Sequence, residues 1–214
     1  MLLDRGADYN NCDEDDRSFL NMACDRGYTE IVKMLLDRGA DYNKYDEDDT
    51  SSLNTACDRG YTEIVKMLLD LDKCDCSGEP PLMKVCDHGH TEIVNLLLDR
   101  GADYNKCDKY GRSPVMKACE YDHTEIVKIL LDRGADCNKC DEYGQSPVMK
   151  ACEHGYTEIV KMLLDRGVDF NKCDKDERSP VMEACEYGHT EIVKMLLDRR
   201  AHCKNMTSGV SHIQ

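Results

Sequence analysis

Residues 30–38 place their apolar side chains on one side of a helix. Ile31, Val32, Leu35 and Leu36 follow the spacing i, i+1, i+4, i+5, whereas the charged residues Glu30, Lys33 and Asp37 fall on the other face. A period near 3.6 residues is typical of an amphipathic α-helix with one face in the protein core. The pattern therefore predicts a helix here, with these four side chains directed inwards.

The residues around this stretch predict where the helix begins and ends. Thr29 precedes it and is the predicted N-cap, because a hydroxyl oxygen can accept a hydrogen bond from a free N–H of the first turn. Gly39 follows it and suits the left-handed conformation found just beyond helix ends. A shorter helix is predicted before it, over residues 19–26, with a turn at Gly27. Each unit thus contains two helices.

The same pattern recurs along the chain. The tetrapeptide Thr-Glu-Ile-Val occurs six times, at spacings of 33, 29, 33, 33 and 33 residues, and its copies begin at Thr29, Thr62, Thr91, Thr124, Thr157 and Thr190. The first helix opens with proline in later copies, which the first helical turn tolerates. Asn, Asp and Gly are dense between units, as in residues 138–146, and predict a tight turn or short hairpin. A regular period of this length indicates a stacked repeat protein.

The repeat resembles the ankyrin repeat. The matching segments are Ser-Pro-Val-Met-Lys-Ala-Cys at 146–152, Gly-His-Thr-Glu-Ile-Val-Lys-Met-Leu-Leu at 188–197 and Gly-Ala-Asp-Tyr-Asn at 101–105. The resemblance implies an all-α solenoid of stacked antiparallel helix pairs with short β-hairpin loops. It also implies a concave face, formed by hairpin tips and first helices, where the family usually binds other proteins.

The resemblance covers residues 1–203 as one repeat array, followed by a short polar tail at 204–214. We predict a partial repeat at 1–12 and full repeats starting near residues 13, 46, 75, 108, 141 and 174. Four residues are missing after Leu71, which predicts an irregular joint at 70–80. The position that usually holds the family's hairpin-tying histidine holds Asn or Met here. Asn can partly replace that histidine, whereas Met cannot, so looser hairpins are expected in later repeats.

The charge balance narrows the choice of partner. Asp and Glu number 43 against 28 Lys and Arg, a net charge of −15, which disfavours nucleic acid. No stretch reaches 18 apolar residues, so we expect no membrane insertion. The first residues lack the apolar core of a secretory signal. These features, with 14 cysteines placed at periodic positions, predict free thiols in a reducing compartment, the cytoplasm or the nucleus.

Cysteine and histidine raise the alternative of a metal or redox protein. Cys137 and Cys140 form a CxxC pair, but a zinc site needs further ligands at suitable spacing, and each cysteine also fits its own repeat position. His90, His123 and His189 share their position with tyrosines in other copies, which favours packing and hydrogen bonding over acid–base chemistry. We therefore expect no catalytic residue, no metal and no cofactor, and predict that the chain is not an enzyme.

The copies differ most at the hairpin tips and at the ends of the first helices. Tyr and Arg, which often anchor interfaces, are frequent there, and four tyrosines form an aromatic strip in the C-terminal half. An acidic row at the ends of the first helices is expected to favour a partner with a basic segment. The candidate partner-binding residues are Asp15, Arg17, Arg26, Asp48, Arg59, His88, Tyr110, Arg112, Tyr121, Tyr143, Gln145, His154, Asp176, Arg178 and Tyr187.

The leading hypothesis is a non-catalytic protein-interaction module or scaffold that binds a protein segment on its concave face. One alternative is a substrate-recruiting adaptor of a larger assembly such as a ubiquitin ligase. A cysteine-based metal or redox protein is the alternative from another class. A structural spacer with no specific ligand is the remaining one.

Overall fold

A computed structural model describes residues 11–48, 50–70 and 80–208, with side chains described as far as Arg200. The irregular joint predicted at 70–80 lies almost wholly outside the described residues, as do most of the partial repeat and the last six residues of the tail. The helices of the described residues are α1 (Phe19–Asp25), α2 (Thr29–Asp37), α3 (Ser52–Asp58), α4 (Thr62–Asp70), α5 (Pro81–His88), α6 (Thr91–Asp99), α7 (Pro114–Glu120), α8 (Thr124–Asp132), α9 (Pro147–His154), α10 (Thr157–Asp165), α11 (Pro180–Glu186) and α12 (Thr190–Ser208).

The helices form pairs that stack within two compact units, Met1–Lys109 (unit 1) and Tyr110–Gln214 (unit 2). Each first helix packs against its own second helix, as α1 does against α2 and α7 against α8. First helices also pack on first helices of the next pair, and second helices on second helices. This is the helix-pair architecture that the period predicts.

The core of each unit follows the predicted apolar positions. Val32 and Leu35 are buried in α2. The isoleucine that is the third residue of each second helix is at most 1% exposed in α4, α6, α8, α10 and α12. Ile31 in α2 is 45% exposed, so its predicted inward position is wrong. Its side chain lines a hollow with Phe19, Met22 and Tyr28 that no described helix covers.

The second helix begins one residue earlier than predicted. The N-cap of α2 is Tyr28, and Thr29 is already the first helical residue. The N–H of Thr29 donates to the Gly27 carbonyl at 2.9 Å, which draws Thr29 into the turn and leaves its hydroxyl unable to cap. The predicted C-terminal glycine is confirmed. Gly39 has φ +81° and donates to Leu36 O, while Ala40 donates to Leu35 O, a Schellman ending.

The loops between repeats are tight hairpins built around an aspartate. The Asp141 N–H donates to Gln145 O at 3.0 Å, and its carboxylate accepts from the N–H groups of Tyr143 and Gln145, each at 2.9 Å. Gly144 supplies the left-handed turn at φ +84°. Asp13, Asp46 and Asp174 open their loops with the same backbone bond. The hairpins that follow the repeats of Met116 and Met149 therefore keep the geometry of those at Asp13 and Asp46.

Asn21 performs part of the role expected of the family's histidine. Its side-chain N–H donates to the Thr50 carbonyl of the next hairpin at 3.3 Å, and its oxygen accepts from Ser52. Met83, Met116 and Met149 occupy the same position in later repeats and are buried. Apolar packing there takes the place of hydrogen bonding.

Consecutive repeats interlock through a glycine and a ring. A Cβ atom added to Gly155 would lie 2.5 Å from the His189 ring of the next repeat, and one added to Gly27 would lie 2.7 Å from the Tyr61 ring. The His189 Nε2 also donates to the Glu153 carbonyl at 3.0 Å. The packing and hydrogen-bonding interpretation is thus confirmed for His189 and for His90, whose Nε2 donates to the Asp58 carbonyl at 3.1 Å.

Candidate functional site

The candidate residues of unit 1 lie at two hairpin tips and at the ends of three first helices. Asp15 and Arg17 belong to the first tip and Asp48 to the second. The N–H of Glu47 donates to Asp15 O at 3.3 Å, which ties the two tips together. Arg26 and Arg59 are the C-cap residues of α1 and α3, and His88 ends α5.

The positive candidates of unit 1 are mostly held by their own chain. Arg17 bonds to Asp13 through Nε at 3.0 Å and lies 2.9 Å from Asp15, and the Asp13 hydrogen bond raises the pKa of Arg17. Arg59 donates twice to Asp25, at 2.8 and 3.0 Å. Arg26 is 71% exposed on its side chain, 3.8 Å from Asp25. Most of these guanidinium groups already have carboxylate partners.

His88 also has partners within unit 1. Its Nδ1 lies 3.1 Å from the Lys84 carbonyl and 3.5 Å from the Asp58 carboxylate. Its ring stacks on His90 with centroids 6.0 Å apart. The side chain is half exposed, so it closes the end of α5 and presents one ring face outwards.

Unit 2 differs because its candidate residues include exposed aromatic rings. Tyr110, Tyr121, Tyr143 and Tyr187 are 40%, 47%, 59% and 53% exposed, and we call them the tyrosine set. Tyr110 and Tyr143 lie at hairpin tips, whereas Tyr121 and Tyr187 are the C-cap residues of α7 and α11. Large exposed rings of this kind supply binding energy when a partner covers them.

Neighbouring groups contact three rings of the tyrosine set. The Arg112 guanidinium lies 5.2 Å from the Tyr110 ring centre, and the Lys117 ammonium lies 5.5 Å from that of Tyr121. Tyr121 and Tyr187 stack on the histidines two residues further on, each with ring centres 6.4 Å apart. His154 makes a similar but tilted contact with Tyr156 at 5.6 Å.

Backbone hydrogen bonds join the tips of unit 2. The Glu142 N–H donates to Tyr110 O at 2.9 Å, and the Lys175 N–H donates to Tyr143 O at 3.0 Å. Gly144 allows this approach, because a Cβ there would lie 3.1 Å from the backbone of Asp174 and Lys175. The two tip tyrosines are therefore carried on a fixed backbone. A hydrogen bond to the Glu142 carboxylate also raises the pKa of Tyr143.

Three other candidates of unit 2 form hydrogen bonds within their hairpins or to the helix that follows. Gln145 closes its loop through backbone bonds to Asp141, and the N–H of Asp176 donates to the Asp174 carboxylate. Arg178 donates to both carboxylate oxygens of Glu183, at 2.6 and 2.9 Å, and also to Glu186. The Glu183 bonds raise the pKa of Arg178.

The predicted acidic row is largely neutralised within the chain. The row comprises Asp25, Asp58, Asp87, Glu120, Glu153 and Glu186. Four members pair with Arg or Lys: Asp25 with Arg59, Glu120 with Lys117 at 3.9 Å, Glu153 with Lys150 at 3.3 Å, and Glu186 with Arg178. The His88 ring lies 3.5 Å from Asp58. Such pairing reduces the field that the row can direct at a partner.

Sequence reasoning missed the charged residues beneath this surface. Lys117 is 5% exposed, and Glu183, which occupies the equivalent position two repeats later, is also 5% exposed. The signal was present in the copies, because lysine becomes glutamate in the last repeat while the tip residue Gln145 becomes Arg178. A matched change of this kind indicates a contact.

The cysteines occupy separate repeat positions. Cys137 is buried, whereas Cys140 donates to the Asn138 carbonyl at 3.5 Å. Across the described residues, no group of three or more His, Cys, Asp or Glu side chains is arranged to hold a metal ion. Burial raises the pKa of the Cys24 and Cys152 thiols to about 12, which makes them poor nucleophiles at neutral pH. None of the described helices is long and apolar enough to cross a membrane.

Comparisons with known proteins identify what this arrangement is similar to. The family model described as ankyrin repeats, in three copies, matches residues 1–77, 53–141 and 133–207. The human ASB11 ankyrin repeat domain superposes with a TM-score of 0.77 at 24% identity, over 86% of this chain and 84% of that one. The ankyrin repeat domain of Bcl-3, a member of the IkappaB protein family, gives 0.76 at 24% identity, over 91% and 88%. No curated protein matches the chain.

Proposed function

The chain belongs to the ankyrin-repeat family, whose repeats are protein–protein interaction modules, and we propose that it is a non-catalytic binding module or scaffold. Its fold is the all-α repeat solenoid of that family. Ankyrin-repeat domains are generally interaction domains without catalytic activity. The specific partner and surface must be argued from this chain's own residues.

We assign the binding surface to the tyrosine set. The observation that carries this proposal is the contrast between the two kinds of candidate residue. The charged candidates mostly bond to carboxylates of their own chain, as Arg59 and Arg178 do. The four tyrosines instead keep 40% or more of their area exposed while their backbone is fixed. Preorganised aromatic side chains lose little conformational freedom when a partner covers them.

The chemistry of the surface favours a protein segment with apolar and basic side chains. A tyrosine ring face attracts a cation, and its hydroxyl can donate or accept a hydrogen bond. Glu142 lies beside Tyr143 at an exposed tip. The net charge of −15 adds a long-range attraction for a basic partner. The paired acidic row then contributes less to recognition than the rings do.

We propose a reducing compartment, the cytoplasm or the nucleus, because cysteines of the first helices, such as Cys24, Cys86 and Cys152, are buried as small apolar residues in the core of their repeats.

The test is a comparative affinity capture followed by titration. The chain is immobilised beside a variant that carries Tyr110→Ser, Tyr121→Ser, Tyr143→Ser and Tyr187→Ser. A control variant carries Lys128→Ser and Lys161→Ser, which alter exposed positions of the second helices α8 and α10. Circular dichroism and thermal unfolding establish that all three are equally folded. Proteins captured from host-cell lysate are quantified and the most enriched is purified.

The proposal requires that the purified protein bind the chain and the lysine control with equal affinity. Its affinity for the tyrosine variant should be lower by at least ~30-fold, equivalent to about 2 kcal/mol of binding free energy. Equal affinity for the tyrosine variant would show that binding occurs elsewhere on the repeats. Loss with the lysine control alone would place it on the second helices.

A further inference from the structure

The last repeat of unit 2 exposes apolar residues that earlier repeats bury. Met182 and Leu197 are 50% and 51% exposed, whereas their equivalents Met149 and Leu164 are 2% and 3% exposed. Cys185 is also exposed, although Cys152 in the same position is fully buried. The earlier residues are covered because α11 and α12 pack against α9 and α10. We call the exposed residues Met182, Cys185 and Leu197 the C-face.

The first helix pair of unit 1, α1 and α2, also exposes apolar residues. Phe19, Tyr28, Ile31 and Met34 are 39% to 51% exposed, and we call these four the N-face. Three of them line, together with Met22, a hollow of about 350 Å³. Ile31 corresponds to isoleucines that are at most 1% exposed in every later repeat. A surface of this type normally marks an interaction site.

Consecutive repeats are linked by a ring that packs over a glycine. The glycine of such a pair lies beside the C-face, and the ring lies on the N-face. Within unit 1 the Tyr61 ring sits over Gly27, and within unit 2 the His189 ring sits over Gly155. Gly188 occupies the same position in the last repeat with φ +76°, but no atom of the described structure lies within 4 Å of a Cβ built there. Tyr28 is the corresponding ring on the N-face, and it is half exposed.

The ion pair that links two consecutive repeats also has equivalent residues on the two faces. In unit 1 Arg59 donates to Asp25 of the preceding repeat. The equivalent pair between two chains is Arg26 of one copy with Glu186 of another, and Arg26 is the most exposed of these arginines. Glu186, which already accepts a hydrogen bond from Arg178, would gain Arg26 of the other copy as a second arginine.

We propose that the N-face of one copy of this chain docks on the C-face of a second copy, with Tyr28 seated over Gly188 and Arg26 against Glu186. The contact uses different surfaces on the two partners, so it is heterologous, and each added copy leaves one N-face and one C-face unoccupied. Mass in solution should therefore rise with concentration beyond that of a dimer. Of the tyrosine set, Tyr187 lies between Glu186 and Gly188 and adjoins the contact, whereas Tyr143 lies outside it. The test uses no captured partner, so its outcome is independent of the proposed function.

Face-blocking variants test this directly. Ile31→Lys places a charge on the N-face, and Leu197→Lys places one on the C-face; both residues are already half exposed, which favours intact folding. Tyr28→Glu and Met182→Glu serve as second variants of each face. Tyr143→Ser is the control, because it alters an exposed ring outside both faces. Sedimentation velocity is measured with reducing agent from about 1 to 500 μM.

The wild type and Tyr143→Ser should show an average mass that rises with concentration. Each face variant should be monomeric alone, and an equimolar mixture of the N-face and C-face variants should form a 1:1 dimer that grows no further. A monomeric wild type throughout the range would overturn the proposal and indicate that the chain covers these faces itself. Self-association of a single-face variant would also overturn it, because that result requires a symmetric contact.

Discussion

Replacing Gly155 with alanine places a methyl group inside the His189 ring of the next repeat. The added Cβ would lie 2.5 Å from Cε1 and 2.6 Å from Nδ1 of that ring. Ordinary carbon contacts are about 3.5–4.0 Å, so the ring must move by roughly 1 Å. That movement disrupts the hydrogen bond from Nε2 to Glu153 O, which is 3.0 Å long.

A matched glycine separates this clash from backbone strain. Gly155 and Gly188 occupy the same position in consecutive repeats, with φ of +80° and +76°, but the described residues leave the space around Gly188 open. Alanine in the left-handed region costs about 1–2 kcal/mol at either position. The extra cost at Gly155 combines overpacking, about 1–3 kcal/mol, with a lost hydrogen bond of about 0.5–1.5 kcal/mol. We expect Gly155→Ala to be about 2–4 kcal/mol more destabilising than Gly188→Ala.

Urea denaturation followed by circular dichroism measures both variants at low micromolar concentration. Repeat proteins can depart from two-state unfolding. The transitions followed by fluorescence and by circular dichroism are therefore compared before free energies of unfolding are extracted. His189→Ala combined with Gly155→Ala should recover part of the extra loss, because the obstructing ring is gone. Equal destabilisation by the two glycine variants would refute the interlock as the basis of repeat stacking.

Three further changes test other parts of the structure by chemical denaturation. Asp122 stands at φ +59° where the other repeats have glycine, so Asp122→Gly should stabilise the chain by about 0.5–1 kcal/mol after the unfolded-state entropy is subtracted. Glu183→Lys should destabilise because it faces Arg178, and adding Arg178→Gln should restore most of the loss because it recreates the preceding repeat. Burial raises the pKa of Cys24 and Cys152 to about 12, from an ordinary 9.0. Because the pKa of each thiol is higher in the folded than in the unfolded chain, its full contribution to stability is present below pH 9. Between pH 9 and pH 12 the free energy of unfolding should fall by about 1.4 kcal/mol per pH unit for each thiol. The variant with alanine at both positions should lack this part of the pH dependence.

The helix pairs could be predicted because the repeat samples each position six times. Hydrophobic spacing and the glycine that follows four of the six second helices locate those helices to within about one residue. α12 lacks this glycine and continues to Ser208. The error at Thr29 has a local cause, since a turn held by Gly27 competes with side-chain capping. The error at Ile31 has a non-local cause, since its equivalents lie in helices that pack on a preceding second helix, as α4 does on α2, and no helix is described before α1.

The candidate site could be predicted only in part. Variation among the copies pointed to the tips and helix ends, and the exposed tyrosines lie there. It did not show that Arg59 and Arg178 are held by carboxylates of neighbouring segments, because contacts across repeats depend on three-dimensional register. A surface chosen by residue type therefore includes side chains that stabilise the stack instead of facing a partner.

The most direct test of the central claim is photochemical oxidation footprinting of the tyrosine set in the complex with the captured protein. Free chain, at a concentration that keeps it monomeric, should show oxidation of these four residues and of Tyr28, which is 51% exposed and serves as an internal reference. In the complex, oxidation of the tyrosine set should fall at least ~5-fold while that of Tyr28 stays constant, because a covered hot-spot ring is excluded from solvent. Unchanged oxidation of all four residues in a saturated complex would contradict the account.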